Sequence, residues 1–145
     1  MAQRKNIFHN FINNPFVYKI IQKIMSGTSF RRKIIKNHIR KKNLKILDIG
    51  CGGGLVSESL SKLGAVVTGI DFAENNIRVA KQHSAKLGLK IDYKIGDIEK
   101  IKLKKNFDVI IAFEVLEHLN DWKKFLNQIK NNLNKNGIFI ISTIN

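Results

Sequence analysis

The sequence contains a single cysteine, no long apolar run and few acidic residues. Cys51 alone cannot form an internal disulfide, which is typical of a protein in the reducing cytoplasm. No apolar run is long enough to span a bilayer, and no continuous apolar stretch follows Arg4 and Lys5, which argues against a signal peptide. Because neither repeats nor flexible linkers interrupt them, the 145 residues predict one folded unit with a buried core.

The shortage of acidic residues gives the chain a strong positive charge. Eleven Asp and Glu residues stand against 26 Lys and Arg residues, which gives a net charge of +15. Lysine far outnumbers arginine, and the excess is spread along the chain. Nucleic-acid sites favour arginine forks and aromatic stacking surfaces, and neither clusters in this sequence. The composition therefore argues against nucleic acid as a partner.

Residues 1–43 predict an N-terminal helical segment. The apolar residues of NPFVYKIIQKIM recur at helical spacing after Pro15, at positions Phe16, Val17, Ile20, Ile21 and Ile24. After the break at SGTS, a second helix is predicted to carry Ile34, Ile35 and Ile39 among basic residues. Such basic amphipathic helices can cover the core of their own domain, which we favour, or lie peripherally on the inner membrane.

Residues 44–145 predict an α/β domain with a parallel sheet flanked by helices. The predicted strands are 45–49, 66–70, 92–95, 107–113 and 138–143, and the predicted helices are 55–63, 75–87 and 121–133. Strands separated by helices pair in parallel, and ligands bind beyond their carboxyl ends. Because the sequence ends on the apolar strand IFIISTIN, we expect either a chain truncated after the fifth strand or an edge covered by another chain or copy.

A glycine loop, DIGCGGG, joins the first of these strands to a helix. A nucleoside-triphosphate loop would need Gly-Lys-Ser/Thr, and a dinucleotide loop starting at Gly50 and Gly52 would need a small residue where Leu55 stands. Asp48 places a negative charge beside the loop, where it would repel a pyrophosphate. Asp71, at the end of the second strand, is placed to accept two ribose hydroxyls. The pattern favours a positively charged nucleoside without phosphate, such as S-adenosylmethionine.

Several motifs in order resemble the class I S-adenosylmethionine-dependent methyltransferases, which have a Rossmann-like fold. They are LDIGCGGG, VTGID, GDIE and FDVIIAFEVLEHL followed by GIFIISTIN. Within that superfamily, roughly residues 44–145 most resemble the demethylubiquinol O-methyltransferases of ubiquinone biosynthesis. The resemblance implies an enzyme that transfers a methyl group to an oxygen of a small molecule, such as a ubiquinone-precursor catechol.

The resemblance also implies a cofactor site for S-adenosyl-L-methionine. Its expected residues are Asp48, Gly50, Gly52, Asp71, Phe72, Asp97, Ile98 and Phe113. Gly50 would lie against the methionine part and Phe72 against the adenine. Asp97 would take the adenine amino group, with Ile98 beside the ring, and Phe113 would line the site. For Phe72 and Ile98, plain core packing is an equal alternative.

A second group of polar residues, in FEVLEHLND, follows the predicted strand 107–113. On a helical turn, Glu114 would share a face with Glu117 and with His118. Two carboxylates and an imidazole could hold Mg²⁺, a use that the resemblance also implies, and the metal would lower the pKa of a bound catechol hydroxyl. Alternatively His118, beside Glu117, could act as a general base. The structural alternative is that Glu117 pairs locally and His118 packs under the next helix.

Three functions compete on this evidence. The first is a small-molecule O-methyltransferase acting on a catechol, and the second is a methyltransferase for a sugar, lipid or amine. The third is a catalytically incomplete subunit that binds S-adenosylmethionine beside a partner chain. We favour the first, because the resemblance to the demethylubiquinol O-methyltransferases implies it.

Overall fold

The computed structural model describes residues 18–20, 43–103 and 106–142. The strands, in chain order, are β1 (Tyr18–Ile20), β2 (Lys45–Ile49), β3 (Val66–Asp71), β4 (Asp92–Ile95), β5 (Phe107–Phe113) and β6 (Leu133–Ser142). The helices are α1 (Leu55–Lys62), α2 (Glu74–Lys86) and α3 (Trp122–Asn132), with a short 3-10 turn at Leu116–His118. Among the described residues, no helix is long and apolar enough to cross a membrane.

The six described strands form one sheet in the order β1-β6-β5-β2-β3-β4, and every neighbouring pair is parallel. This confirms the predicted parallel α/β fold. From β2 the chain adds β3 and then β4 on one side of the sheet, and it then adds β5 and β6 on the other side of β2. The order in which strands are added therefore reverses between β2 and β5. Ligands of such sheets bind beyond the carboxyl strand ends at this switch point.

Helices cover both faces of the sheet because successive side chains of a strand point to opposite sides. On one face, Phe125 of α3 belongs to the same buried cluster as Leu47. On the other face, Leu60 of α1 belongs to the same buried cluster as Ile46. Burial on both faces explains why the central strands β2 and β5 are nearly continuous apolar runs, which made them easy to recognise in the sequence.

Residues 18–20 form the strand β1, and the helix predicted through this segment is wrong at these positions. β1 pairs in parallel with residues 139–141 of β6. Without a neighbour, this edge of β6 would present unpaired backbone groups, and strand pairing satisfies them. In the structure the chain's own β1 pairs with these three residues. The remaining parts of the two predicted N-terminal helices lie outside the described residues.

β6 begins directly after α3, five residues earlier than the predicted strand at 138–143. Leu133 pairs with Phe107 and Ile138 pairs with Val109, so residues 134–137 lie outside the regular ladder. The sequence LNKNG predicts a loop because Asn and Gly favour turns. Leu133 joins the strand because it pairs with Phe107 of β5, and the residues around Leu133 do not indicate that distant contact.

Candidate functional site

A cavity of about 650 Å³ opens at the carboxyl ends of β2, β3, β4 and β5. Each strand contributes the residues at its end: Gly50 follows β2, Phe72 follows β3, Asp97 follows β4, and Phe113 closes β5. The cavity therefore lies at the switch point of the sheet, where the topology predicts a ligand. No lysine or arginine is among the lining residues in the described part of the chain.

The glycine loop turns sharply away from the end of β2. Gly50 has φ +67°, and its N–H donates to the Ile70 carbonyl at 2.8 Å. A Cβ added to Gly50 would lie 2.7 Å from Cγ2 of Val115, so a side chain has no room there. Gly52 has φ +53° and lies beside the cavity rather than on its wall. These positive φ values need glycine because a Cβ makes them strained.

Asp71 fixes this loop and also faces the cavity. Its Oδ2 accepts the Gly52 N–H at 2.8 Å, and its Oδ1 accepts the Ala73 N–H at 2.9 Å and the Asn76 side-chain amide at 3.2 Å. The residue is only 6% exposed, yet it lines the cavity. Since a carboxylate offers about four acceptor positions, Asp71 can take a further hydroxyl donor from a ligand.

Asp48 lies beneath the glycine loop and is not among the residues that line the cavity. It is 3% exposed, and its Oδ2 accepts the Ser57 hydroxyl at 2.7 Å. Burial raises the pKa of Asp48 from 3.8 to about 6, against the opposing effect of the Ser57 hydrogen bonds. Asp48 would therefore act on a bound ligand only through its electrostatic field, because it makes no direct contact with the cavity.

This burial predicts a pH-dependent penalty on folding. The folded chain holds the Asp48 proton more tightly than the unfolded chain, so stability falls as the pH rises from about 4 to about 6. A pKa difference of this size is worth about 3 kcal/mol. We expect Asp48→Asn to remove that slope, because the amide oxygen still accepts from Ser57 and carries no charge to desolvate. Urea unfolding of both proteins between pH 4 and pH 7 measures this, and parallel stability profiles would contradict it.

The wall formed after β3 and β4 combines an exposed aromatic ring with a fixed carboxylate. Phe72 is 81% exposed, which excludes the alternative of core packing for this ring. Ile98 is 7% exposed, belongs to the main core cluster and lines the cavity as well. Asp97 accepts the Glu99 N–H at 2.9 Å and pairs with Lys100 at 3.0 Å, and the Lys100 hydrogen bond lowers the pKa of Asp97.

The opposite wall carries the polar residues that follow β5. Glu114 has φ +57°, outside the helical region, and its N–H donates to the Ser142 carbonyl at 2.9 Å. The 3-10 turn begins only at Leu116, so the helical face predicted to join Glu114 with Glu117 and His118 does not form. Glu114 and His118 line the cavity, whereas the half-buried Glu117 does not.

These positions do not fit the predicted Mg²⁺ site. Over residues 43–103 and 106–142, no three His, Cys, Asp or Glu side chains are grouped so that they could hold a metal ion. The prediction that Glu114, Glu117 and His118 bind one metal ion assumed a single helical turn. The left-handed backbone at Glu114 breaks that turn. We therefore assign no step to Mg²⁺.

Two lining residues with polar side chains were not predicted from the sequence. Glu99 and Asn120 both line the cavity, and their side chains hydrogen-bond to each other at 3.1 Å. The motif GDIE contains Glu99, but nothing in a local pattern distinguishes it from an exposed surface carboxylate. Its role depends on a partner 21 positions away.

Comparisons with known proteins agree with this geometry. A family described as a methyltransferase domain matches residues 40–145. Ubiquinone biosynthesis O-methyltransferases of Pelagibacter ubique and Azorhizobium caulinodans are 54% and 47% identical, each over 72% of this chain and 43% and 42% of their own length. The chain thus spans about two fifths of these curated relatives. The crystal structure of TehB from Haemophilus influenzae has a TM-score of 0.72 and 28% identity over 81% of this chain and 41% of its own. The chain therefore belongs to the methyltransferase domain family.

Proposed function

We propose that this chain binds S-adenosylmethionine and forms the donor half of an O-methyltransferase acting on a small molecule, in particular a ubiquinone-precursor catechol. The observation that carries the proposal is the position of the buried Asp71 carboxylate, which anchors the glycine loop through the Gly52 N–H and faces the cavity. This loop lacks the residues that a phosphate-binding loop needs. The names of the curated relatives support the acceptor class.

The arrangement of the cavity suggests how the donor would lie. The ribose hydroxyls would bind Asp71, and the adenine would lie against the exposed ring of Phe72 with Asp97 near its amino group. The methionine end would lie toward Gly50 and Glu114. The carboxylates on the walls, with no described lysine or arginine among the lining residues, favour a cationic sulfonium over a phosphorylated nucleotide.

The proposed reaction is an in-line displacement in which the acceptor oxygen attacks the sulfonium methyl carbon. The new C–O bond forms as the C–S bond breaks, and S-adenosylhomocysteine leaves. The donor is already activated, so the residues of this chain mainly align the two reactants and exclude water. The exposed imidazole of His118 lines the cavity and would accept the hydroxyl proton. Glu117 is not among the lining residues, and we assign proton transfer to His118 alone.

Calorimetric titration tests the donor assignment. We expect saturable binding of S-adenosylmethionine and S-adenosylhomocysteine, and no binding of ATP or NAD. Phe72→Ala should weaken binding about tenfold through loss of ring stacking, with almost no loss of stability because the ring is 81% exposed. Val66→Ala is the matched control, since Val66 is an exposed apolar residue at the other end of β3.

The titration also contains the result that would refute the assignment. If ATP or NAD binds and S-adenosylmethionine does not, the cavity is a phosphate site and the proposal is wrong. If Phe72→Ala and Val66→Ala bind alike, the adenine does not lie on Phe72.

A further inference from the structure

The carboxylate of Glu99 connects two walls of the cavity that are far apart in the sequence. Its Oε1 accepts the Asp121 N–H at 2.8 Å, and its Oε2 accepts the Asn120 side-chain amide at 3.1 Å. The partners are 22 and 21 positions away along the chain. Glu99 and Asn120 both line the cavity, so this contact lies at the cavity wall rather than in a remote loop.

The two connected segments carry different parts of the proposed site. The segment after β4 carries Asp97 and Ile98, which form the proposed adenine wall. The segment after β5 carries His118 and Leu119, immediately before Asn120. Glu99 therefore links the wall that would hold the donor to the wall that would hold the base.

The same segment is also fastened to α3 at points farther along the chain. The Gln128 side-chain amide donates to the Ile101 carbonyl at 2.7 Å, and the Asn132 amide donates to the Leu103 carbonyl at 3.2 Å. Gln128 and Asn132 are not lining residues of this cavity. These two hydrogen bonds differ from those accepted by Glu99, which involve a charged group and lie at the cavity wall. The hydrogen bond from the Asp121 N–H lowers the pKa of Glu99.

We propose that Glu99 is a positioning residue that holds the His118 segment against the Asp97 segment, so that donor and base keep a fixed separation. This inference rests on the proposed function. A site whose walls are held before the ligand arrives loses less conformational freedom on binding, and misplacement of aligned groups slows transfer strongly. Glu99 contacts neither the reacting oxygen nor the methyl group in this account; it acts through Asn120 and Asp121.

Glu99→Gln is the main test variant. The glutamine keeps one acceptor for the Asp121 N–H, but the Asn120 amide must turn to offer its oxygen to the new amide, so a hydrogen bond to a charged group is replaced by a neutral one. We expect S-adenosylmethionine to bind about tenfold more weakly, the scale of one hydrogen bond to a charged group. In Glu99→Ala, which removes both acceptors, hydrogen exchange of the Asp121 amide, followed by NMR, should become faster and report the loss of the connection directly.

Gln128→Ala is the matched control, because it removes a connection to the same segment away from the cavity. Both variants should lower the melting temperature, but only Glu99→Gln should weaken binding. Adding Asn120→Asp to Glu99→Gln reverses donor and acceptor across the same gap. This double variant should recover most of the lost affinity, which a general loss of stability would not explain.

The outcomes separate this inference from the proposed function. If the unaltered chain does not bind S-adenosylmethionine, the proposed function is wrong and the inference is overturned with it. If it binds, and Glu99→Gln and Gln128→Ala change affinity equally or not at all, only the positioning role is overturned. An Asp121 amide whose exchange is unchanged in Glu99→Ala would show that the connection itself is absent.

Discussion

Gly54→Ala is expected to lower the free energy of unfolding by about 3 kcal/mol or more, from two separate causes. Gly54 precedes α1 with φ +88°, a backbone conformation that strains any residue with a Cβ. The added methyl would also overlap the hydroxyl of Tyr93 and lie 3.0 Å from Cβ of Ala80. Tyr93 is 4% exposed, so its ring has little room to withdraw. Urea denaturation followed by circular dichroism measures the change.

Gly88→Ala separates the two causes. Gly88 also has a positive φ, +66°, but an added Cβ would meet nothing within 4 Å. This variant should cost only backbone strain, about 1 kcal/mol. If both alanine variants cost the same, the packing of Tyr93 beneath the glycine loop does not contribute, and the description of that loop as closely packed is wrong.

The parts of the fold that could be predicted from sequence are those governed by local pattern. The strands β2 and β5 lie within residue ranges that the sequence predicted, because strands buried on both faces are runs of apolar, β-branched residues bounded by turns. The glycine loop was recognised because closely spaced glycines after a strand are rare outside tight turns. Positions such as Asp71 and Phe72 follow from where a strand ends, which the same pattern gives.

The features that the sequence did not give depend on distant partners. The strand at residues 18–20 forms against β6, and helical periodicity in the N-terminal segment could not reveal that pairing. Glu114 adopts its left-handed backbone where its N–H meets the carbonyl of Ser142, which removes it from the predicted helical turn. Asp48 reads as a residue at the mouth of the loop, but the helix that carries Ser57 covers it. Each of these cases is a tertiary contact overriding a local expectation.

Asp71→Asn should have the largest effect on ligand binding of any single substitution in the site, a loss of more than about a hundredfold in S-adenosylmethionine affinity. Three donors converge on this carboxylate, from Gly52, Ala73 and Asn76. An asparagine offers them one oxygen and places its own amide against at least one of them. The loop would lose its anchor and the ribose its acceptor together. Stability should fall by about 2–4 kcal/mol, because buried donors are left without acceptors.

Asp92→Asn is the matched control for this prediction. Asp92 begins β4 and pairs with Lys94 at 3.3 Å, but its side chain is 47% exposed and it is not a lining residue of the cavity. This exposed pair should contribute less than about 1 kcal/mol, and its loss should leave ligand affinity unchanged. Titration must be done where circular dichroism shows Asp71→Asn to be folded, so that the loss reports binding. The same two oxygens of Asp71 hold the loop and would bind the ribose, so the substitution to asparagine must disturb any ribose contact. If the folded Asp71→Asn variant binds S-adenosylmethionine as tightly as Asp92→Asn does, the ribose does not bind this carboxylate.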